Sequence, residues 1–448
     1  MKKLFGTDGM RGEAGRFPLD EKTIKVVGAS LARQFIEKNN QPPTFVVGRD
    51  TRESGVWIEE AFCAGALNEG ASVISAGIIT TPGVAFLTRD LQADAGVVIS
   101  ASHNPFQDNG IKIFAPSGRK IDEATERRIE NDVFNSSENS NLKVRNSVES
   151  QSEKLQERYL DYLKNEFPEL SLGGLKIVAD CANGAASHLA PRLFEAFGAD
   201  VVSIFSEPSG RNINLDCGSL HLEKLQQKTV EEKADFGVAF DGDADRALFV
   251  DAKGNLVDGD ATLWAMAGHQ QSRGELKNET VVATVMSNLG LEVALKTRGI
   301  KLLRTAVGDK YVLEELLKTG SSIGGEQSGH IIFPQKSLVG DGMLTALNLL
   351  AAMRENHAGL SELTAGFERF PQVLINVRVR EKLPFEEVPG IAAVAREIEN
   401  DLGEKGRLLL RYSGTELLAR VMIEGERQDV INEQARRLAQ TIERELTV

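Results

Sequence analysis

Two short apolar runs of this chain align with each other without gaps, and polar residues follow each run directly. The first run is Ala93–Ser100 and the second is Ala234–Asp241. Such runs are typical of strands buried in a parallel sheet, and ligands bind at the carboxyl ends of strands in open α/β sheets. The self-similarity, at a separation too long for a solenoid repeat, predicts duplicated α/β modules that each present a functional loop at a strand end. Chance similarity between two buried strands is the alternative.

The loop after the first run is rich in groups that can bind an oxyanion or a phosphate. It reads Ala-Ser-His-Asn-Pro at 101–105 and continues as Asp-Asn-Gly-Ile-Lys at 108–112. Ser102 provides a hydroxyl, and His103 and Lys112 provide hydrogen-bond donors close to it. For any one of these residues alone, an ordinary polar turn is the better interpretation. The second polar loop, built in the same way, favours a functional site.

Three carboxylates follow the second run, at Asp241, Asp243 and Asp245. At this spacing on a tight loop they repel one another, so at least one pKa rises unless a cation lies among them. Hard oxygen ligands at this density suit Mg²⁺ or Ca²⁺ rather than zinc. An EF-hand is excluded, because Arg246 stands where that loop needs glycine and Ala252 where it needs glutamate. The pattern favours a catalytic Mg²⁺ site over the alternative of a solvated acidic turn.

A third polar cluster, formed by Glu326, Ser328 and His330, also follows a predicted strand. In an extended loop, residues at i, i+2 and i+4 turn to the same side. The carboxylate and the hydroxyl suit a polyhydroxylated ligand, and the histidine titrates near neutrality and could move protons. The alternative is a polar turn with a structural histidine.

Two glycine-containing loops carry arginines. Ser413-Gly-Thr415 lies between two predicted strands, with Arg411 before it and Arg420 on the following strand. Its glycine permits a positive φ, so backbone N–H groups could converge on an anion. Guanidinium groups bind phosphate through two parallel hydrogen bonds, which makes phosphate the expected anion. A simple hairpin turn is the alternative. The other loop, residues 5–12 with Arg11, is not diagnostic alone.

Composition limits the possible partners and the compartment. A net charge of −13 argues against a general nucleic-acid or anionic-membrane surface, but not against a phosphorylated substrate. The three cysteines show neither paired spacing nor a metal pattern, which is consistent with a reducing cytosol. We find no signal-peptide core and no apolar run of the roughly 20 residues that a membrane span needs. We therefore expect a cytoplasmic protein without a membrane or nucleic-acid partner.

Helix-period and strand-like segments alternate over most of the chain, which predicts an α/β fold with mixed, largely parallel sheets. Asp20 is predicted to cap the first helix, and residues 321–324 are predicted to form a strand. Residues 135–152 are polar and lack periodicity, so we predict a linker or mobile loop there. At 448 residues, three or four domains are expected. We predict three α/β domains and a smaller C-terminal α+β domain. The α/β domains are residues 1–152 with the Ser102 loop, residues 153–255 with the aspartate loop, and residues 256–369 with the Glu326–His330 loop, which is suited to sugar. The α+β domain is residues 370–448, with the phosphate-binding turn at 413–415.

The motifs are most informative in combination. A serine nucleophile or phosphoserine, a Mg²⁺-binding carboxylate cluster, a loop suited to sugar hydroxyls and a separate phosphate-binding turn indicate phosphoryl transfer on a sugar phosphate. With these motifs in this order, the chain resembles the α-D-phosphohexomutase superfamily essentially end to end. The motifs that carry the resemblance are Phe-Gly-Thr-Asp-Gly-x-Arg-Gly at 5–12, Ser-Ala-Ser-His-Asn-Pro at 100–105, Asp-Gly-Asp-Ala-Asp-Arg at 241–246 and Gly-Glu-Gln-Ser-Gly-His at 325–330.

The resemblance implies four domains around a central cleft, and it implies roles for individual residues. Ser102 would be the phosphoserine, and Asp241, Asp243 and Asp245 would hold Mg²⁺ together with a phosphoserine oxygen. The residues implied to bind the substrate are Arg246, Glu326, Ser328, Arg411, Ser413, Gly414, Thr415 and Arg420. Those implied to neutralise charge and transfer protons are Arg11, His103, Lys112 and His330.

Within the superfamily, Gln327 favours the branch that acts on amino sugars, because glucose and mannose members usually carry methionine there. Leu417 and Lys310 depart from the residues that many relatives have, proline and arginine. These two departures affect fine substrate contacts rather than the reaction.

The implied enzyme is an isomerase that interconverts glucosamine 6-phosphate and glucosamine 1-phosphate through a 1,6-bisphosphate intermediate. Its product would feed UDP-N-acetylglucosamine and peptidoglycan precursor synthesis. The base that takes the hydroxyl proton is Lys112 or His330. The alternatives are a phosphoglucomutase or phosphomannomutase, a sugar-phosphate phosphatase, and a sugar-phosphate-binding regulator, although a mere binder needs neither the serine nor the three aspartates. The sequence leaves the oligomeric state open, with a homodimer as one candidate, and also the origin of the first phosphate on Ser102.

Overall fold

The structure is a computed structural model that describes residues 3–6, 8–135, 148–413 and 417–447. It divides into two compact units. The larger unit comprises Met1–Thr284 with Thr305–Ala365, and the smaller comprises Val285–Arg304 with Gly366–Val448. No helix in the described part of the chain is both long enough and apolar enough to cross a membrane.

The larger unit begins with a seven-stranded mixed sheet in the order β1-β2-β6-β5-β3-β4-β7. Its strands are β1 (Phe5–Gly6), β2 (Gly9–Glu13), β3 (Thr44–Arg49), β4 (Ser72–Ile78), β5 (Ala95–Ile99), β6 (Asp108–Phe114) and β7 (Glu149–Ser150). The helices of this region are α1 (Glu21–Asn39), α2 (Gly55–Asn68), α3 (Thr81–Asp90), α4 (Glu123–Asn135) and α5 (Ser152–Asn165).

Helix α1 begins where the sequence predicts, because the Asp20 carboxylate accepts a hydrogen bond from the backbone N–H of Thr23 at 3.0 Å. It packs closely on α2 through two glycines. A Cβ on Gly28 would lie 2.1 Å from the Phe62 carbonyl oxygen, and a Cβ on Gly65 would lie 2.0 Å from that of Lys25. Larger residues at these two positions would force the helices apart.

The second sheet of the larger unit has five strands in the order β12-β11-β10-β8-β9. Its strands are β8 (Lys176–Asp180), β9 (Asp200–Ile204), β10 (Phe236–Phe240), β11 (Ala247–Asp251) and β12 (Leu256–Val257), with helices α6 (Ala190–Ala196) and α7 (Glu223–Glu231). Further along the chain, the larger unit contains α8 (Gly259–Ser272), β13 (Thr280–Thr284), α10 (Asp309–Thr319), β15 (Gly324–Gly325), β16 (Ile331–Ile332), α11 (Gly342–Asn356) and α12 (Leu360–Leu363). The intervening α9 (Leu289–Thr297) and all but the last residue of β14 (Lys301–Thr305) belong to the smaller unit.

The larger unit repeats one strand arrangement, as the aligned apolar runs predict. In the first sheet β3 is parallel to β4 and β5, and β5 then pairs antiparallel with β6. In the second, β8 is parallel to β9 and β10, and β10 pairs antiparallel with β11. The third sheet repeats the inner part, with β13 parallel to β15 and β15 antiparallel to β16. The prediction of duplicated α/β modules is therefore confirmed.

This repetition positions the predicted functional loops. Ser102 lies between β5 and β6, the three aspartates lie between β10 and β11, and Glu326 and His330 lie between β15 and β16. Each loop therefore occupies the same place in its module, at the carboxyl end of the third strand.

The strand predicted at 321–324 was wrong in extent, and the linker predicted at 135–152 was wrong at its described ends. Of the strand predicted at 321–324, only Gly324 is in β15, which ends at Gly325. The Ile323 carbonyl oxygen still accepts a hydrogen bond from the Val282 N–H of β13 at 3.2 Å, but Ser321 and Ser322 lie before the strand, where their hydroxyls bond to other side chains. Of the linker predicted at 135–152, residues 136–147 lie outside the described residues. Its end is ordered structure, because β7 pairs with β4 and α5 begins at Ser152.

The smaller unit has the α+β construction predicted for the C-terminal region. Its antiparallel sheet has the order β17-β19-β18, with strands β17 (Gln372–Arg378), β18 (Gly406–Tyr412) and β19 (Leu418–Gly425). Helices α13 (Pro389–Leu402) and α14 (Gln428–Leu446) pack on this sheet. The apolar face of α14, which includes Ile431, Leu438 and Ile442, is buried in the same core as the strand residues Val421 and Ile423.

Candidate active site

The Ser102 side chain lies buried at the centre of the site. Its Oγ donates a hydrogen bond to Oδ2 of Asp241 at 2.5 Å and lies 3.3 Å from Nδ1 of His103. The backbone of Ser102 has a φ of 54°, in the left-handed region that non-glycine residues seldom adopt. The loops of the first and second modules thus bring the predicted nucleophile into direct contact with the carboxylate cluster.

Asp241, Asp243 and Asp245 are buried, and each offers a carboxylate oxygen within 4.8 Å of the others. Burial and the neighbouring carboxylates of Asp245 and Asp243 raise the pKa of Asp241 well above its usual range. Within the part of the chain that the structure describes, Oδ1 of Asp243 is buried and accepts no hydrogen bond. A buried acceptor without a donor, among three clustered hard oxygens, fits a divalent cation such as Mg²⁺.

Lys112 of β6 supplies positive charge to this cluster. Its ammonium lies 2.8 Å from Asp243 Oδ2, 3.0 Å from Asp245 Oδ2 and 3.2 Å from Asp8 Oδ2. Burial opposes the charge on Lys112, but the three carboxylates outweigh it and hold its pKa well above the usual range. The ammonium of Lys112, which the resemblance implies to neutralise charge, thus lies against three carboxylates.

A second group of charges adjoins the cluster through Asp8. This carboxylate pairs with Arg11 and with Lys120, whose ammonium lies 2.5 Å from Asp8 Oδ1 and 2.7 Å from Asp309 Oδ2. Burial opposes ionisation of Asp8, but Lys112 and then Lys120 and Arg11 lower its pKa well below the usual range. Asp8 and Arg11, from the glycine-rich segment at 5–12, therefore adjoin the carboxylate cluster through Lys112.

His103 and Arg246 border the serine and the aspartates. Burial, with repulsion from Arg246 and Arg11, lowers the pKa of His103 to about 4, so its ring is neutral at physiological pH. The backbone N–H of Arg246 donates to Asp241 Oδ1 at 3.2 Å. Burial opposes the charge on Arg246, but Asp245 and Asp241 outweigh it and raise its pKa.

The loop between β15 and β16 contributes His330 and Glu326. Nδ1 of His330 lies 3.6 Å from Asp245 Oδ1, and Nε2 accepts a hydrogen bond from the backbone N–H of Gly340 at 3.0 Å. Glu326 Oε1 accepts a hydrogen bond from the backbone N–H of Gly308 at 3.2 Å. Ser328, between them, is half-buried. The third module thus reaches the aspartate loop through His330.

Sequence reasoning missed three residues at this site. Thr81, at the start of α3, donates from Oγ1 to Asp243 Oδ2 at 2.5 Å and from its backbone N–H to the Asp243 carbonyl oxygen at 3.0 Å. Asp8 and Asp309 were given no role. A sequence signal existed for Thr81, because Thr80-Thr81-Pro82 follows an apolar strand and is typical of a helix start at a sheet edge.

The smaller unit carries the predicted phosphate-binding turn. Arg411 and Arg420 are directly opposite each other on the paired strands β18 and β19. Burial and the neighbouring Arg420 lower the pKa of Arg411. Ser413, at the end of β18, accepts a hydrogen bond from Arg420 Nη2 at 3.5 Å. Gly414 and Thr415, which were also predicted to bind phosphate, lie outside the described residues.

Comparison with known protein families covers nearly the whole chain. Four family models match in order, described as phosphoglucomutase/phosphomannomutase alpha/beta/alpha domain I over residues 2–140, domain II over 157–254, domain III over 258–370 and C-terminal domain over 374–441. The chain belongs to the phosphoglucomutase/phosphomannomutase family. The resemblance to the α-D-phosphohexomutases inferred from the motifs is thereby confirmed.

Curated members of this family are similar to the chain over its full length. Phosphoglucosamine mutase of Solibacter usitatus is 50% identical over 445 residues, covering 99% of both chains. Phosphoglucosamine mutase of Koribacter versatilis is 46% identical over 460 residues, covering 99% of this chain and 97% of the other.

Solved structures of the phosphoglucomutase/phosphomannomutase family share the fold. The family protein from Burkholderia thailandensis superposes with a TM-score of 0.81 at 22% identity, covering 99% of this chain and 98% of the other. N-acetylphosphoglucosamine mutase of Aspergillus fumigatus, in complex with GlcNAc-6P and magnesium, has a TM-score of 0.66 at 19% identity, covering 100% and 96%.

Proposed function

We propose that this chain is a phosphoglucosamine mutase, an isomerase that interconverts glucosamine 6-phosphate and glucosamine 1-phosphate. The observation that carries the proposal is the contact of the Ser102 hydroxyl with the carboxylate cluster, whose negative charge the Lys112 ammonium offsets. Full-length similarity to curated phosphoglucosamine mutases supports the amino-sugar substrate.

The reaction consists of two phosphoryl transfers through one serine. In the first, the Oγ–P bond of phospho-Ser102 breaks and a bond forms between phosphorus and O1 of glucosamine 6-phosphate; the O1 proton passes to a base, and Ser102 Oγ takes a proton as it leaves. The glucosamine 1,6-bisphosphate then reorients so that its 6-phosphate faces Ser102. In the second transfer Ser102 Oγ gives up its proton as the Oγ–P bond re-forms, the O6–P bond breaks, and O6 takes a proton. Glucosamine 1-phosphate leaves, and the phosphoenzyme is regenerated.

The carboxylates of Asp241, Asp243 and Asp245, with a phosphoserine oxygen of Ser102, would hold Mg²⁺. When bound, this ion supplies positive charge that offsets the negative charge of the transferring phosphoryl group. The fit rests on the clustered oxygens and on the buried Asp243 Oδ1 without a donor among the described residues.

Basic side chains at the site perform the other charge-stabilising work. Arg11 and Arg246 carry fixed charges, and Lys112 is held as an ammonium by the carboxylates around it. A base for the O1 proton needs a free lone pair, so Lys112 would first have to lose its own proton; His330, which also lies against Asp245, is the other candidate. Replacing each residue separately distinguishes them, because only the variant that lacks the base loses phosphoryl transfer while it still binds substrate.

Recognition of the substrate is assigned to two further groups. Glu326 and Ser328 bind sugar hydroxyls, since a carboxylate and a hydroxyl suit that ligand. Arg411, Ser413, Gly414, Thr415 and Arg420 bind the phosphate that is not being transferred. The paired positions of Arg411 and Arg420 support this assignment, because two adjacent guanidinium groups repel each other unless an anion lies between them.

A substrate panel tests the proposed function. The protein, Mg²⁺ and a trace of hexose 1,6-bisphosphate are incubated with glucosamine, glucose or mannose 6-phosphate, and acid-labile glycosyl phosphate and free phosphate are measured. We expect glycosyl phosphate from the glucosamine substrate in preference to the others. Conversion of glucose or mannose phosphate alone would identify a phosphoglucomutase or phosphomannomutase. Steady release of free phosphate would identify a phosphatase. A cytoplasmic location and a homodimer remain predictions.

A further inference from the structure

The peptide group on the amino side of Ser102 is tied to the end of the preceding strand and to Asp50. The Ser102 N–H donates to Ser100 Oγ at 2.9 Å, and Ser100 Oγ donates to Asp50 Oδ2 at 2.6 Å. All three residues are buried, and Asp50 directly follows β3. The backbone at the predicted nucleophile is therefore held by a chain of hydrogen bonds from the neighbouring strand end.

The carbonyl group of Ser102 is held by two side chains from different modules. Arg52 Nη2 donates to this oxygen at 3.0 Å and Asn214 Nδ2 donates to it at 2.9 Å. The same two nitrogens donate to the Asn104 carbonyl oxygen, at 2.8 and 3.0 Å. The carbonyl oxygens of Ser102 and Asn104, both in the Ser102–Pro105 turn, are thus held by the same two nitrogen atoms.

Arg52 is the more deeply enclosed of the two donors. Its guanidinium is fully buried and also donates to Asp50 Oδ2 at 2.9 Å and to the Pro105 carbonyl oxygen at 2.5 Å. A guanidinium has five N–H donors in a planar fork, enough for three carbonyl oxygens and the Asp50 carboxylate at once, whereas an ammonium has only three donors. The Ser102 carbonyl also lies against the aspartate loop, since a Cβ on Gly242 would lie 2.5 Å from that oxygen.

We propose that Arg52 and Asn214 are positioning residues that clamp the Ser102–Pro105 turn in its left-handed conformation and so aim Ser102 Oγ at Asp241. The inference rests on the proposed function, because Oγ must act as leaving group in one transfer and as nucleophile in the next. A serine with positive φ persists only when its surroundings over-determine it. Four hydrogen bonds from two nitrogens to the carbonyl oxygens of Ser102 and Asn104, together with the bond from the Ser102 N–H, provide that restraint.

The test compares Asn214→Asp with the matched control Asn212→Asp. Asn214→Asp puts an acceptor where the turn needs a donor, without changing the size of the side chain. Asn212 lies in the same loop, but its Nδ2 donates to the Glu207 carbonyl oxygen and not to the turn. We expect Asn214→Asp to lower kcat by about tenfold or more, with KM for glucosamine 6-phosphate within about twofold. Asn212→Asp should retain the native kcat.

Arg52→Lys provides a second variant, since it keeps a charge beside Asp50 but cannot reach all three carbonyl oxygens. It should show the same loss of kcat at an unchanged KM. A merely structural role would lower the thermal midpoint and leave kcat of the folded fraction unchanged. Native kcat in both variants would overturn the proposal.

Amide hydrogen exchange of residues 100–105 tests whether Arg52 and Asn214 hold this turn, and it does not depend on activity. We expect faster exchange of this turn in Asn214→Asp and Arg52→Lys than in the native protein and in Asn212→Asp. Equal exchange in all four proteins would overturn the clamp. A native protein without mutase activity would instead contradict the proposed function. The exchange comparison would then still show whether Arg52 and Asn214 restrain the turn.

Discussion

The hydroxyl of Ser102 donates a 2.5 Å hydrogen bond to Asp241 Oδ2, although the two residues lie 139 positions apart in the chain. The contact joins equivalent loops of two modules that share one strand arrangement. A phosphoryl group on this oxygen would therefore enter the carboxylate cluster directly. The close approach of the two loops is the structural basis of the proposed reaction.

The carboxylate cluster is expected to bind Mg²⁺. Asp243→Asn removes one charged ligand while it preserves the shape of the side chain, and we expect the affinity for Mg²⁺ to fall on the order of tenfold or more. Isothermal titration calorimetry measures the change. Asp122→Asn, which removes an exposed carboxylate elsewhere in the same unit, is the control and should bind Mg²⁺ like the native protein. Equal affinities in the two variants would exclude Asp243 as a ligand.

Lys112 balances three carboxylates, so its removal is expected to make the fold depend on a metal. In Lys112→Met the carboxylates of Asp8, Asp243 and Asp245 lose their buried partner. Breaking such a pair costs about 3–5 kcal/mol, so the thermal midpoint in EDTA should fall. Added Mg²⁺ should then raise the midpoint more in this variant than in the native protein.

The matched control for that experiment is Lys120→Met. Lys120 pairs with Asp8 and Asp309 rather than with the aspartate triad. Its loss should lower the thermal midpoint in EDTA, but added Mg²⁺ should raise the midpoint of this variant no more than it raises that of the native protein. If Mg²⁺ stabilises Lys112→Met no more than it stabilises the native protein, Lys112 does not compensate the charge of the metal site.

Arg420 is expected to bind the phosphate that is not transferred. Arg420→Gln should raise KM for glucosamine 6-phosphate by about tenfold, with a smaller change in kcat, because a charge-assisted hydrogen bond to the ground state is lost. Steady-state kinetics measure the effect. The control is Arg378→Gln, an exposed arginine on the same sheet, and it should have native KM. An unchanged KM in Arg420→Gln would remove this residue from the phosphate site.

The buried carboxyl of Asp341 is expected to make stability fall as the pH rises. It caps α11 by accepting the Leu344 N–H at 3.0 Å, and burial raises its pKa to about 6. A carboxyl with a raised pKa stabilises the fold while it is protonated, and this contribution is lost as the pH rises from about 4 to about 6. Asp341→Asn keeps a neutral capping side chain, so it should be more stable than the native protein at pH 8, by up to about 3 kcal/mol.

Thermal midpoints at pH 4.5 and pH 8 test this dependence. The difference between Asp341→Asn and the native protein should be small at the lower pH and favour the variant at the higher pH. Asp122→Asn is the control, because backbone hydrogen bonding from Thr125 lowers the pKa of Asp122 and predicts no gain at pH 8. A lower midpoint for Asp341→Asn at pH 8 would show that the carboxylate form is the stabilising one.

Much of the fold and the core of the site could be predicted from the sequence, because short apolar runs mark the buried strands and polar clusters mark their carboxyl ends. Ser102, the aspartates and Glu326 all follow this rule. The strand predicted at 321–324 is shorter than expected: the Ile323 carbonyl oxygen accepts from the Val282 N–H of β13 at 3.2 Å, and Ser321 and Ser322 lie before the strand.

The supporting residues could not be predicted in this way. Thr81 contacts Asp243 across 162 positions, and Asn214 contacts Ser102 across 112. No local pattern links such residues, because the contacts arise only when separate modules pack together. From the sequence alone, Arg52 looks like an ordinary polar residue of a turn. Its proposed positioning role follows only from its three carbonyl partners in the structure.

Phosphoryl transfer through Ser102 is tested by ³¹P NMR of glucosamine 6-phosphate with Mg²⁺, a trace of hexose 1,6-bisphosphate, and either the native protein or Ser102→Ala. We expect a glycosyl 1-phosphate signal to grow with the native protein, without free phosphate. We expect no conversion with Ser102→Ala, although that variant keeps the native thermal midpoint. Full conversion by Ser102→Ala, or free phosphate as the sole product of the native protein, would contradict transfer through a phosphoserine.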